Sequence, residues 1–116
     1  MIIAVAGPYS APTPEARARN LDVLNTAAAE LLAMGHTPVV GVNAALPVVE
    51  RTTQDIDRYH AIMEISMAVI SCCEAVLLLA ESPGANRECE YFLSRGLPVY
   101  HSLASVPHVL QTSTSR

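Results

Sequence analysis

Four short apolar runs alternate along the chain with longer segments that carry helical spacing. The runs cover residues 1–6, 37–40, 75–80 and 97–101. The first of them is apolar at every position, as expected of a strand that is covered on both faces. Alternating strands and helices predict a parallel sheet whose strands are joined by right-handed crossovers. The pattern therefore predicts an α/β fold.

The first predicted helix has a recognisable beginning, buried face and end. Thr13 supplies a capping hydroxyl, and Pro14 takes the first helical position. Gly35 follows the last turn, where glycine commonly ends a helix. The predicted buried stripe consists of Leu21, Leu24, Ala28 and Leu31, which recur at helical spacing.

The middle of the chain shows two different patterns. Residues 41–53 contain glycine and proline interruptions and no clear hydrophobic period, so we predict an active-site loop there. A second helix is predicted from about residue 55 to residue 73. Its predicted face consists of Ile62, Ile65, Val69 and Cys72. A third helix is predicted after Gly84, ending at Gly96.

Length and composition favour one globular domain. The chain has 116 residues, of which 51% are apolar and 16% are charged. We predict a single domain over residues 1–110 and a flexible polar tail over residues 111–116. No apolar run approaches the ~20 residues of a membrane span, and no leader peptide is recognisable at the amino terminus. We therefore expect a cytoplasmic protein with no membrane partner.

Charge and motif content restrict the class of partner. The net charge is −4, whereas proteins that bind nucleic acid polymers carry basic clusters, so we expect no such partner. A mononucleotide in a pocket remains compatible, because it needs only a few donors. The cysteines and histidines lack metal-ligand spacing, and the turn after the first strand lacks the G-x-G-x-x-G pattern. We expect no metal and no cofactor.

Residues 81–88 hold the strongest candidate site. They connect the third strand to the third helix, where open α/β sheets usually bind ligands. The amides of a helix's first turn lack intrahelical partners and favour anions. Ser82 adds a hydroxyl, Gly84 leaves room for close approach, and Glu88 places a carboxylate one turn later. A second loop, residues 7–13, shares this edge if the first and third strands are neighbours.

Four segments carry a resemblance to a known family. They are Ala6-Gly7-Pro8-Tyr9-Ser10, the helical pair Arg19-Asn20, the pattern Ser82-x-Gly84-x-x-x-Glu88 and Gly96-Leu97-Pro98-Val99. In this order they resemble the nucleoside 2-deoxyribosyltransferase superfamily, above all its small members, which include nucleoside 5′-monophosphate N-glycosidases. The resemblance covers about residues 2–100. It implies a three-layer, flavodoxin-like or Rossmann-like parallel sheet of four to five strands with helices on both faces.

The resemblance implies that Glu88 is a nucleophile acting on the anomeric carbon of a ribosyl or deoxyribosyl group. Cleavage of an N-glycosidic bond passes through an oxocarbenium-like state, which an adjacent carboxylate can stabilise or capture covalently. Water then completes a hydrolysis, or a second base completes a transfer. Judged from its position alone, Glu88 fits a solvent-exposed helix residue better than a nucleophile, and the family pattern reverses that preference.

The candidate substrate-binding residues are Gly7, Tyr9, Arg19, Ser82, Gly84 and Asn86. Tyr9 stands where the family tends to place an aromatic against the base, but it could instead pack on its own turn. Arg19, like Arg17, could reach a phosphate or remain solvated. Asn86 could donate to the ligand or cap the helix.

One family feature is missing. The family usually carries an aspartate on the helix before the third strand, and that position falls near Ser66. Three acidic residues could substitute if the helix register differs, namely Glu64, Asp57 and Asp55. Glu74, just before the third strand, fits a structural role. The missing acid places the catalytic step in question, and the fold is unaffected.

Three functions remain open at this point. The first is cleavage or exchange of the N-glycosidic bond of a nucleoside or its 5′-monophosphate, and the second is a non-catalytic nucleotide-binding or sensing module. The third is a phosphoribohydrolase of the cytokinin-activating type, whose loop is richer in glycine and threonine than residues 82–88. We expect a ligand with a 5′-phosphate and a homo-oligomeric protein. The base, the sugar, and the choice between hydrolysis and transfer are left open.

Overall fold

The computed structural model describes residues 1–109, so the predicted tail over residues 111–116 lies outside the described residues. The strands are β1 (Ile2–Ala6), β2 (Thr37–Val39), β3 (Ala75–Leu78) and β4 (Val99–Tyr100). The helices are α1 (Pro14–Ala33), α2 (Gly41–Val49), α3 (Arg58–Ile70) and α4 (Pro83–Ser94), followed by a 3₁₀ turn at Leu103–Ser105.

The four strands form one sheet in the order β2-β1-β3-β4, and every neighbouring pair is parallel. Ala6 at the end of β1 pairs with Leu78 at the end of β3. The chain thus passes from β1 to β2 at one edge of the sheet and then crosses to β3, on the other side of β1. That reversal creates a switch point between β1 and β3, where doubly wound sheets bind ligands.

Helices cover both faces of the sheet. Successive side chains of a strand point to opposite faces, and the apolar side chains on each face pack against helices. Ile3 and Val5 pack with Leu24 and Leu31 of α1 in one hydrophobic cluster. Ala4 and Ala6 belong to a second cluster, which contains Ile70 of α3 together with Ala85, Cys89 and Phe92 of α4. The predicted three-layer, Rossmann-like α/β fold is confirmed.

Helix α1 begins and ends as the sequence predicts. The Thr13 hydroxyl oxygen accepts a hydrogen bond from the Ala16 amide at 3.1 Å, and Pro14 follows at the first helical position. After the helix, Gly35 has φ +94°, a left-handed conformation that glycine adopts without strain. Leu24 and Leu31 are buried as predicted, whereas Ala27 is buried where half-buried Ala28 was expected.

The prediction of a loop over residues 41–53 is wrong for most of its length, because residues 41–49 form α2. Gly41, Ala45, Leu46 and Val49 are its buried positions, which is helical spacing. Pro47 obscured this pattern in the sequence. Pro47 lies in the last turn, and its carbonyl oxygen accepts a hydrogen bond from Arg51 Nη1 at 2.8 Å. A proline there removes one intrahelical bond near the helix end.

The predicted buried face of α3 is also wrong. The buried residues are Met63, Ser66 and Ile70, whereas Ile62, Ile65 and Val69 are half-buried and Cys72 is exposed. Helix α3 is apolar around most of its circumference, so its pattern does not mark one face. Packing decides which side of α3 is covered, since Ser66 contacts α2 and Ile70 packs against the sheet and α4.

Glu74 has the structural role that its position suggested. Its Oε1 accepts a hydrogen bond from the Ile2 amide at 2.7 Å and thereby links the start of β1 to the start of β3.

Among the helices within residues 1–109, none is long and apolar enough to cross a membrane.

Candidate functional site

A cavity of about 490 Å³ opens at the carboxyl ends of β1 and β3. The loop after β1 and the first turns of α4 form one side of it, as expected once these strands are neighbours. Helices α2 and α3 form a second wall, which meets the start of α4 at Gly84. The residues of this wall are Val42, Tyr59, Ile62, Met63 and Ser66.

Glu88 lies on the buried side of α4. The buried positions Ala85, Glu88, Cys89 and Phe92 recur every three to four residues, so Glu88 belongs to the stripe that packs inward. Its residue surface is only 8% exposed, and it lines the cavity. The alternative that Glu88 is a solvent-exposed helix residue is therefore wrong.

Burial changes the acidity of this carboxyl group. Loss of solvation disfavours the charged form and raises the pKa of Glu88 from 4.5 to about 7. Near neutral pH, Glu88 is therefore present in both its protonated and its ionised form. The cavity that it lines is large enough to admit a small molecule. Carboxyl groups with a raised pKa that lie in a cleft are often catalytic.

The cavity holds very little other charge. In the described part of the chain, Glu88 is the single acidic residue and Arg87 the single basic residue that line it. The three acids that could replace the missing aspartate do not line the cavity, and all three are exposed. Of these, Asp57 caps α3 by accepting a hydrogen bond from the His60 amide at 3.1 Å.

Ser66, the residue near which an aspartate was expected from the resemblance, lies on the inner side of α3. The residue is 1% exposed and lines the cavity, and its Oγ has no hydrogen-bond partner among residues 1–109. Leaving a buried hydroxyl unpaired costs about 1–3 kcal/mol. Such a group stands out in a folded protein, because most buried polar atoms are paired.

The start of α4 offers fewer donors than its sequence suggests. Ser82 Oγ accepts a hydrogen bond from the Ala85 amide at 3.1 Å, and the Ser82 carbonyl oxygen accepts one from the Asn86 amide at 2.8 Å. Pro83 has no amide hydrogen. Within the described residues, the Gly84 amide is thus the one first-turn donor left for a ligand, beside the Ser82 hydroxyl hydrogen.

Gly84 has a packing role in addition to any contact with a ligand. A Cβ atom at this position would lie 3.1 Å from Met63 Sδ and 3.5 Å from the Tyr59 hydroxyl oxygen. Its lack of a side chain therefore lets the start of α4 pack directly against α3 at the edge of the cavity.

The other sequence-predicted site residues fall into two groups. Gly7 and Tyr9 line the cavity, and the Tyr9 carbonyl oxygen accepts a hydrogen bond from Asn20 Nδ2 at 2.9 Å. Asn20 of the Arg19-Asn20 pair thus holds the loop after β1. Arg19 itself is exposed on α1 and does not line the cavity.

Asn86 also lies outside this cavity. It lines a separate depression beside Glu90 and His101, and its Nδ2 lies 3.4 Å from Glu81 Oε1. The structure therefore brings together five of the seven predicted site residues, namely Gly7, Tyr9, Ser82, Gly84 and Glu88.

The apolar wall of the cavity was not predicted from the sequence. Tyr59 and Met63 lie one turn apart on α3, and Val42 comes from α2. The signal available was the helical spacing in residues 41–49 followed by an apolar α3. Two consecutive apolar helices would have predicted a wall on that side of the sheet.

Comparison with known proteins places the whole α/β unit in a family. No curated protein matches the chain. Residues 3–101, which run from β1 to just beyond β4 and include the entire cavity, match the family model described as "Domain of unknown function (DUF4406)". Because the match spans most of the 116 residues, the chain belongs to this family.

Proposed function

We propose that this protein cleaves or exchanges the N-glycosidic bond of a nucleoside or nucleoside 5′-monophosphate, with Glu88 as the nucleophile. The observation that carries the proposal is the buried Glu88 carboxyl in the cavity at the switch point between β1 and β3. The resemblance to the nucleoside 2-deoxyribosyltransferase superfamily supports the same role, because Ser82, Gly84 and Glu88 carry its pattern on α4.

The two sides of the cavity suit the two parts of a nucleoside. The α2–α3 wall is mostly apolar and carries Tyr59, which suits a flat heteroaromatic base. The α4 side carries Glu88, with Ser82 and Gly84 at the helix start, which suits a sugar. In this arrangement the anomeric carbon, which joins sugar to base, lies between the two sides and beside the carboxylate.

The chemistry requires the ionised form of Glu88. The carboxylate attacks the anomeric carbon while the bond to the base breaks, and water or a second base then displaces Glu88 from the sugar. Because burial raises the pKa of Glu88 to about 7, the nucleophilic form becomes the major one above neutral pH. In its protonated form the same carboxyl can still form a hydrogen bond with a ligand, but it is a poor nucleophile.

A second candidate function is nucleotide binding without catalysis. The observation that favours it is the absence of a second carboxylate among the described residues that line the cavity. A departing base needs a proton, and no second carboxylic acid among the described lining residues can supply it, so we assign that role to water. Bases that leave readily are therefore the best substrates under the enzymatic proposal.

One experiment separates the two functions. The protein is incubated at pH 8 with a panel of ribo- and deoxyribonucleosides and their 5′-monophosphates, and free base is measured by chromatography. We expect release of at least one base by the wild type and a loss of at least about 100-fold in Glu88→Gln. Glu90→Gln, which changes an exposed carboxylate on the same helix, is the matched control.

The outcomes are distinct. Ligand binding without base release by the wild type supports the binding module. Base release that survives in Glu88→Gln rules out the assignment of Glu88 as nucleophile.

A further inference from the structure

We propose that Ser66 is a specificity-determining residue whose hydroxyl hydrogen-bonds to the nucleobase of the bound ligand. The inference rests on the proposed function, since it concerns the same cavity. It extends that proposal by naming the residue of the α2–α3 wall that reads the polar edge of the base.

The first observation is the unpaired hydroxyl. Ser66 is 1% exposed, and its Oγ is the single buried side-chain nitrogen or oxygen atom without a hydrogen-bond partner among the described residues. Nearly all buried polar groups in folded proteins are paired, so an unpaired one beside a cavity indicates a partner that arrives with a ligand.

The second observation is the surroundings of Ser66. Its neighbours on the α2–α3 wall are Val42, Ile62 and Met63, none of which has a strong hydrogen-bonding group in its side chain. Tyr59 is the other polar residue of the wall, but it lies two turns earlier on α3 and is 41% exposed at the outer end. Ser66 is therefore the one hydrogen-bonding side chain at the inner end of an apolar surface suited to a flat base.

The third observation is that the backbone of Ser66 is held while its hydroxyl is free. Gly41 of α2 packs against Ser66 so closely that an added Cβ would lie 2.9 Å from Ser66 Cβ and 3.0 Å from Ser66 Cα. The position of the residue is thus set by helix packing. Oγ can still turn about the Cα–Cβ bond among its staggered positions and so face the cavity.

Placement also argues for the base over the sugar. The sugar has to reach Glu88 on α4, whereas Ser66 belongs to the α2–α3 wall, whose other residues are mostly apolar. A hydroxyl both donates and accepts, so Ser66 can pair with a ring nitrogen, a carbonyl oxygen or an exocyclic amine.

The experiment compares Ser66→Ala with the wild type in binding and in stability. Four free bases (adenine, hypoxanthine, cytosine and uracil) and ribose 5-phosphate are titrated separately by calorimetry. We expect the base that binds the wild type most tightly to bind Ser66→Ala about tenfold more weakly, and the affinity for ribose 5-phosphate to stay within twofold. Ser71→Ala, at the exposed end of the same helix, is the control and should not affect either affinity.

Thermal unfolding of the free proteins supplies a second readout. Because Ser66 Oγ has no partner to lose, Ser66→Ala should have a Tm equal to or above that of the wild type. A residue that merely supports the fold would instead lower the Tm.

Three results would overturn the inference. They are an unchanged base affinity in Ser66→Ala, a loss confined to ribose 5-phosphate, and a lower Tm of the free variant. In all three cases a wild type that binds a base leaves the proposed function standing. If the wild type binds none of the four bases, the inference fails, and if it also binds no nucleoside or nucleotide of the panel described above, the proposed function fails as well.

Discussion

Gly41 and Ser66 lie in direct contact where the start of α2 meets the middle of α3. A Cβ atom built on Gly41 would approach Ser66 Cβ to 2.9 Å, Ser66 Cα to 3.0 Å and the Ser66 carbonyl oxygen to 3.1 Å. Two of these three atoms belong to the backbone, so they cannot move without shifting a helix. This contact sets the spacing of α2 and α3 and thereby the shape of the apolar wall of the cavity.

Gly41→Ala is expected to destabilise the protein by about 1–3 kcal/mol, because the added methyl group forces α2 away from α3. Gly84→Ala is the matched comparison. Its Cβ would meet the flexible end of Met63, with Sδ at 3.1 Å, and alanine is the better helix former. We expect urea unfolding to show a loss for Gly41→Ala and a change of less than about 1 kcal/mol for Gly84→Ala. Equal effects would contradict the assigned contact.

Glu88 is expected to make stability depend on pH. Because burial raises the pKa of Glu88 from 4.5 to about 7, the folded protein keeps a proton that the unfolded chain has lost between these two values. The free energy of unfolding should therefore fall as the pH rises through this window and then level off. Glu88 therefore contributes most to the free energy of unfolding below pH 4.5, where it is protonated in both the folded and the unfolded state.

Glu88→Gln removes this dependence, because glutamine cannot ionise. At pH 8 we expect the variant to be more stable than the wild type by about 1–3 kcal/mol, and at pH 4 the two should be alike. Urea unfolding at both pH values measures the difference, with exposed Glu90→Gln as the control. A wild type that equals or exceeds the variant at pH 8 would show that the Glu88 carboxylate is well solvated or paired.

Base release is expected to increase with pH through about 7, since the ionised carboxylate is the nucleophile and the pKa of Glu88 lies there. Values of kcat/KM measured between pH 5 and pH 9 should follow a single ionisation on the acidic side. A rate that decreases over the same range would instead assign Glu88 the role of proton donor.

The ligand is expected to bind more tightly with a 5′-phosphate than without one. The donors available are the Gly84 amide, the Ser82 hydroxyl and the Arg87 guanidinium, which is the one cation lining the cavity in the described residues. Calorimetry with a nucleoside and its 5′-monophosphate should show the preference, and Arg87→Gln should reduce it. Arg19→Gln should have no effect, because Arg19 does not line the cavity. Equal affinities for the two ligands in the wild type would refute the preference.

The protein is expected to form homo-oligomers. Val23, Leu32, Val48 and Leu93 are large apolar residues that are each 58–63% exposed. Exposed apolar surface of this kind often marks an interface when it is contiguous. Light scattering at micromolar concentration should give at least twice the chain mass of 12.4 kDa, and a monomeric mass would contradict the expectation.

The sequence alone determined the parallel sheet and the position of Glu88 along the chain. Strands β1 and β3 are continuous apolar runs, and α1 has a capping hydroxyl, a proline at its first position and a glycine after its end. These signals are local, because they depend on residues that are neighbours in the chain. They suffice to place the loops after β1 and β3 at the carboxyl ends of their strands.

The tertiary structure decided which side chains share the cavity. Glu88 could have faced solvent, and only the packing of α4 on the sheet buries it and raises the pKa of its carboxyl. Asn86, two residues earlier, faces a different depression for the same reason. Ser66 meets Gly41 across 25 residues of chain, and this contact between two helices has no local signature in the sequence. Burial and long-range contacts arise from several elements packing at once, so they become visible only in the folded molecule.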